Sequence, residues 1–216
     1  MSIELRTILR LFPYLDKVED AKKLKIDHES LYYISIREQA EEITNIIKNY
    51  INKIEIDKKN IIITDATAGV GGNTISFAKS FKKVNAIEIN KKRCEYLENN
   101  MKIYNLKNIN IINDNCIKYI NKIEQDIVYI DPPWGGRIYK NYEKLTLKLS
   151  NMEIEDICNN LFDEKYTKHI PKMIILKLPL NYNKIYIKQK VKGYIYIHEL
   201  KKMMIMIIIN KNYNFS

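Results

Sequence analysis

Ile61-Ile-Ile-Thr-Asp65-Ala-Thr-Ala-Gly69-Val-Gly71-Gly72-Asn73 runs from an apolar stretch straight into a glycine-rich loop. The apolar part, Ile61–Thr67, reads as a buried strand, and Gly72–Phe81 reads as the helix that follows it. The chain has only six glycines, and five fall in two groups: Gly69, Gly71 and Gly72, then Gly135 and Gly136. Each group follows a predicted strand. Where glycine is this scarce, such clustering places backbone close to something a side chain would obstruct.

The pattern alternates outward from the loop. Val84–Ile89 reads as a second strand, Lys91–Tyr104 as a helix and Asn108–Asp114 as a third strand with a short helix after it. Ile127–Asp131 is a fourth strand, Lys172–Pro179 a fifth, and Gly193–Leu200 with Lys201–Ile209 a closing antiparallel pair. Strands alternating with helices predict a mostly parallel sheet covered on both faces. The expected fold is α/β and Rossmann-like, with seven strands. Residues 1–50 are helical in pattern, Glu38–Tyr50 being amphipathic, and form an expected arm capping a core of residues 51–216.

In such sheets, ligands bind beyond the carboxyl ends of the strands. Three acids end successive strands there: Asp65, Glu88 and Asp114. An acid at the end of the second strand commonly accepts hydrogen bonds from ribose hydroxyls, the role expected of Glu88. Asp114 is placed to accept from an adenine amino group. The loop is neither GxGxxG nor GxxxxGK[ST], which excludes a nucleoside triphosphate P-loop. A carboxylate at Asp65 would repel a pyrophosphate and suits a positively charged cofactor such as S-adenosylmethionine.

Asp131-Pro-Pro-Trp-Gly-Gly136 closes the fourth strand. Two prolines stiffen the turn. A purine amino group is a poor nucleophile because its lone pair is delocalised into the ring. Acceptors on its N–H hydrogens localise that lone pair, and the Asp131 carboxylate and Pro132 carbonyl are the candidates. Trp134, the only tryptophan in the chain, stands where a base would stack. Asp131, Pro132 and Trp134 are the candidate catalytic residues for methylation of an exocyclic amine.

The remaining composition narrows the partners. Thirty-six basic residues against 26 acidic give a net charge of +10, which favours a polyanion such as nucleic acid. Ile, Lys and Asn dominate the chain, and all three have AT-rich codons, as in large DNA viruses and AT-rich parasites. The interleaved segment Tyr182–Lys192 reads either as a phosphate-tracking strip or as a solvated face. Three scattered cysteines and three scattered histidines give neither a disulfide framework nor metal-ligand spacing, so no metal is expected. The longest uncharged apolar run, Met203–Ile209, is far short of a membrane span. The N-terminus lacks a secretory pattern. A monomer in the cytoplasm or nucleus is expected, with no membrane partner.

DATAGVGGNTISFA, AIEIN, Asn99–Asn100 and YIDPPWGG, preceded by LRLFPYLDK and KIDHESLYYISIREQAEEI, resemble in order the trimethylguanosine synthase family, cap-specific guanine-N2 RNA methyltransferases. The likeness covers residues 9–140 and, more weakly, LPLN (Leu178–Asn181). It implies that Asp65, Gly69, Gly71, Glu88 and Asp114 hold S-adenosylmethionine, with Phe12 and Ser35 of the arm closing over it. It implies also that Trp134 stacks on 7-methylguanine in capped RNA, with Tyr139 lining that pocket and Asn181 matching a family asparagine after the fifth strand; Arg137 departs from the family and is a candidate substrate contact in compensation for Leu180. The family commonly has serine at the position of Asp131, proline at Arg137 and arginine at Leu180. A cationic 7-methylguanine on an indole face gains ~0.5–2 kcal/mol, which would favour the methylated cap. Two alternatives compete: an adenine-N6 methyltransferase of the DPPW type, and an inactive cap-binding protein. In one class of DPPW adenine enzymes that segment precedes the cofactor loop, whereas here the loop comes first.

Overall fold

A computed structural model of the chain describes residues 3–213. Nine strands and seven α-helices are present among them. Seven strands form one sheet in the order β3-β2-β1-β4-β7-β9-β8. The expected α/β fold is therefore the observed one. The chain divides into two compact units, Met1–Cys116 and Ile117–Ser216.

The first unit carries helices α1 (Leu5–Leu11), α2 (Val18–Ala21) and α3 (Arg37–Lys53), then β1 (Ile62–Asp65), α4 (Gly72–Ala78), β2 (Lys83–Ile87), α5 (Lys91–Ile103) and β3 (Ile109–Ile112). β1, β2 and β3 pair in parallel, Ile63 opposite Val84 and Val84 opposite Ile109. α3 buries Ala40, Ile43, Ile47 and Ile51, the 3.6-residue stripe visible in the sequence. α4 is buried on every side, which accounts for its run of small and apolar residues. α5 starts at Asn90, whose side chain accepts the Arg93 N–H at 3.1 Å and so satisfies one of the orphan amides of the first turn.

The second unit carries β4 (Ile127–Ile130), a two-stranded hairpin of β5 (Lys148–Leu149) and β6 (Met152–Glu153), and α6 (Ile154–Leu161). It continues with β7 (Met173–Leu178), α7 (Lys184–Lys190), β8 (Tyr194–Glu199) and β9 (Met204–Ile209). β4 and β7 are parallel; β9 runs antiparallel between β7 and β8. All six residues of β9 are buried, the signature of a strand covered on both faces, whereas β8 at the edge is only half-buried.

The patterning assigns no element between residues 142 and 171, yet α6 lies there. Its buried face is Ile154, Glu155, Ile157, Cys158 and Leu161, and the acid on that face and the Asn159–Asn160 pair dilute the pattern. The stretch Tyr182–Lys192 resolves into α7, with Ile187 buried and Lys184 paired to Glu199. The expected helix after β3 is a 3-10 turn, Cys116–Lys118. Among the described residues, no helix is long and apolar enough to cross a membrane.

Candidate active site

In the first unit the loop between β1 and α4 is closed by its leading acid. Asp65, 1% exposed, accepts the Thr74 hydroxyl at 2.7 Å and the Thr67 N–H at 3.3 Å. Asp65 thus ties the two ends of the loop together. Glu88, just past β2, does a second stitch: one carboxylate oxygen accepts the Gly69 N–H at 2.8 Å and the other the Asn90 N–H at 2.7 Å. A carboxylate offers about four lone-pair sites, so two amides leave it capacity for a ligand diol. Asp114, beyond β3, is half-buried and accepts the Asn115 N–H.

The two loop glycines differ. Gly69 has φ +55°, and no atom lies within 4 Å of where a Cβ would stand. Gly71 has φ +105°, and its Cβ would meet Leu97 Cδ1 and Met101 Cε of α5 at 2.9 Å each. Gly69 therefore faces open space, where a ligand can approach the backbone. At Gly71 the missing side chain is accounted for by packing against α5.

The arm folds onto this loop within the same unit. Ser35 Oγ, 2% exposed, accepts Asn73 Nδ2 at 3.0 Å, and Ser35 O would lie 3.0 Å from a Cβ at Gly72. Phe12 is 1% exposed, in an apolar cluster that includes Ala68 and Val70 of the loop. The structure thus places Phe12 in the core with the loop's apolar side chains. Asn100 of α5, which the sequence marks only as half of an Asn pair, binds arm and loop at once. Its Nδ2 donates to Lys25 O at 2.8 Å and Val70 O at 2.9 Å, and its Oδ1 accepts the Lys25 N–H at 2.8 Å. Arg93 clamps the arm further through Asp27, at 3.1 Å, and Glu29. The Asp27 carboxyl loses solvation there, but bonds from Ser30 and Arg93 outweigh this and hold it below its ordinary range.

In the second unit the Asp131–Gly136 segment leaves β4. Asp131 Oδ2 accepts Lys177 Nζ at 2.6 Å. Burial pushes the Asp131 carboxyl above its ordinary range, and the charge and hydrogen bond of Lys177 oppose the shift. Trp134 Nε1 donates to Lys177 O at 3.4 Å, and Lys177 Nζ lies 5.8 Å from the indole centroid. Tyr139 meets Trp134 edge-on, with centroids 5.3 Å apart at 79°. Such aromatic pairs add ~0.5–1.5 kcal/mol beyond burial, so Tyr139 steadies the indole. Asn181 donates to Tyr139 O at 2.8 Å and Tyr142 O at 2.6 Å. Both of its amide hydrogens shape the loop that carries Tyr139. Pro132 is buried, and Arg137 lies exposed on the 3-10 segment Gly136–Asn141.

The structure thus brings Asp131, Trp134, Tyr139 and Asn181 into one set of contacts through neighbours the sequence reading did not weigh. Lys177 was the missed residue. Its signal was present: a lysine inside the otherwise apolar Met173–Leu178 strand. Among the described residues, no group of three or more His, Cys, Asp or Glu is placed to hold a metal.

Comparison with known proteins bears on what this arrangement does. An uncharacterized protein of Acanthamoeba polyphaga mimivirus is 38% identical over 218 residues, covering 92% of this chain and 83% of its own length. The trimethylguanosine synthase of Schizosaccharomyces pombe is 27% identical over 121 residues, 53% of this chain and 47% of that protein. Among solved structures, the T. thermophilus 16S rRNA N2 methyltransferase RsmC, in complex with AdoMet and guanosine, matches with a TM-score of 0.59 at 13% identity, over 87% of this chain and 44% of that one. At that identity the likeness speaks for the fold. The family model for RNA cap guanine-N2 methyltransferases matches residues 60–214, which takes in the glycine loop and the Asp131–Gly136 segment alike. The chain belongs to the RNA cap guanine-N2 methyltransferase family.

Proposed function

We propose that the protein transfers a methyl group from S-adenosylmethionine to the exocyclic N2 of the 7-methylguanosine cap of RNA, giving N2,7-dimethylguanosine and, with a second turnover, the trimethylated cap. The observation that carries this reading is the strand-ending Asp131-Pro-Pro-Trp134 segment, in which a half-buried acid and an indole steadied by Tyr139 share one neighbour, Lys177. Family membership supports the substrate.

The first unit fits the donor. Open space above Gly69, a buried acid at Asp65 and the Glu88 carboxylate suit a cationic nucleoside with a diol. S-adenosylmethionine is the cofactor, and when bound it supplies an electrophilic methyl group carried on a sulfonium. Glu88 receives the ribose hydroxyls, Asp114 the adenine amine, and residues 1–50, with Phe12 and Ser35, cap the site over the core of residues 51–216. Trp134 stacks on the base, with Tyr139, Arg137 and Asn181 around it. Asp131 and the Pro132 carbonyl accept the two N–H hydrogens of the target amine, localising its lone pair. Asp131 or water takes the proton that the amine releases after transfer. Positioning supplies most of the rate in this scheme. The mimivirus relative and the AT-rich composition support a viral protein that acts on capped RNA in a host cell.

The acid at Asp131, where the family commonly has serine, favours one second reading, adenine-N6 methylation. Incubation with labelled S-adenosylmethionine and three acceptors separates the two: a 7-methylguanosine cap, an unmethylated cap and an adenine-containing oligonucleotide. Label in the first is expected. Label only in the third would move the assignment to adenine, and label in none would leave a cap-binding protein.

A further inference from the structure

Lys177 is the only buried lysine among the described residues, 4% exposed in a strand whose six residues are all buried. Burying a charge costs several kcal/mol unless it is paired, and a buried ion pair is often no more stabilising than apolar side chains of the same volume. Packing therefore gives no reason for a lysine here. Its contacts do. The parallel register sets Ile130 opposite Leu176, so the next residues along, Asp131 and Lys177, are neighbours across the two strands. The lysine amine meets the Asp131 carboxylate at 2.6 Å, and the lysine carbonyl receives the Trp134 indole N–H at 3.4 Å. One residue thus touches both functional side chains of the Asp131-Pro-Pro-Trp134 turn.

We propose that Lys177 is a positioning residue for the methylation. Its side chain keeps the Asp131 carboxylate ionised and in one orientation, while its backbone carbonyl fixes the plane of Trp134. The proposal rests on the reading that this turn receives a base amine. The chemistry follows from what an amine needs. Only an ionised Asp131 is acceptor on both oxygens; a protonated one presents an O–H donor toward N–H donors. Burial alone drives Asp131 toward the protonated form, and Lys177 opposes this. A serine in the same place would need no such partner, since it is neutral at every relevant pH. Lysine at 177 is the counterpart of an acid at 131.

The test exploits Trp134 as the only tryptophan, so its emission reports this site without any turnover. Emission is titrated between about pH 5 and 9 for the wild type, Lys177→Met and the double variant Asp131→Ser/Lys177→Met, with circular dichroism checking the fold. Initial rates of cap methylation are measured over the same range. In Lys177→Met the titration of the Asp131 carboxyl should move up by about a unit or more, tenfold in proton affinity. Its rate should fall at the acid end of that range, by up to about tenfold where the pH lies below both carboxyl values, and recover as pH rises, because a raised carboxyl ionises only at higher pH. The double variant should be faster than the single one at the acid end of the range, where the raised carboxyl is protonated. If Lys177→Met fails to fold, recovery of the fold in the double variant is expected, since the carboxylate that Lys177 pairs with is removed as well. An unmoved emission titration with an unchanged pH–rate profile would overturn the proposal. So would a folded double variant no better than Lys177→Met. A wild type that methylates no cap would sink the function reading, and the emission titration would then decide the role of Lys177 by itself.

Discussion

Exchanging each loop glycine for alanine separates two reasons for glycine that look alike in sequence. At Gly69 the backbone is left-handed, φ +55°, with nothing near a new methyl group. Alanine there meets ~1–2 kcal/mol of backbone strain, offset by ~0.4–1 kcal/mol because it restricts the unfolded chain. The net cost of Gly69→Ala is about 1 kcal/mol. Gly71→Ala carries similar backbone terms at φ +105°, and its Cβ also stands 2.9 Å from Leu97 Cδ1 and from Met101 Cε. Overpacking of that kind adds ~1–3 kcal/mol, so Gly71→Ala should cost about 2–4 kcal/mol. Urea denaturation reads the difference. With a slope of about 3 kcal/mol per molar, the Gly71 variant should unfold near 1 M lower than wild type and the Gly69 variant far less. Binding of S-adenosylmethionine should reverse the order, the folded Gly69 variant being the weaker binder because its methyl occupies the open space above the loop. Equal destabilisation by the two substitutions would refute the packing argument, and full affinity in Gly69→Ala would refute the cofactor placement.

Trp134→Ala should weaken binding of a 7-methylguanosine nucleotide by ~1–2 kcal/mol, at least about fivefold, while leaving cofactor binding near normal; calorimetry of the two ligands checks both halves. Asn100→Ala strips three hydrogen bonds from the backbone of Lys25 and Val70 and should cost about 2–3 kcal/mol, with faster amide exchange at Lys25, whose N–H it holds. Glu155, 1% exposed and bonded to the Tyr182 hydroxyl at 2.7 Å, is pushed above the ordinary glutamate range by burial. A carboxyl raised on folding favours the folded state most below its unfolded value and loses that contribution as pH rises through the folded value. Unfolding midpoints for Glu155→Gln should therefore be flatter with pH across that window than those of wild type.

Much of this architecture was legible because the signals were local. Five strands of the parallel part and the closing pair announced themselves as apolar runs, since a strand covered on both faces has no polar side to interrupt it. The glycine loop and the Asp131–Gly136 segment were legible because glycine and tryptophan are rare here. What stayed hidden depends on long-range pairing. The patterning could not say that Asp65 closes its own loop through Thr74, or that Gly71 answers to α5 while Gly69 answers to open space. The role of Lys177 was hidden for the same reason. A lysine in an apolar run has no meaning until the register of β4 and β7 puts an acid beside it. α6 was missed because half of its eight residues are polar or acidic, although Glu155 among them is buried.

The central claim is that the amine accepting the methyl group is guanine N2 in a 7-methylated cap. The most direct measurement is to methylate a short RNA carrying that cap and several adenines, digest it to nucleosides and locate the new methyl group by mass spectrometry. N2,7-Dimethylguanosine is expected, at least about tenfold more than the yield of N2-methylguanosine from the same RNA with an unmethylated cap, since ~1.4 kcal/mol of preference for the cationic base corresponds to that ratio. Methyl groups on adenine N6, or equal yields from methylated and unmethylated caps, would contradict it.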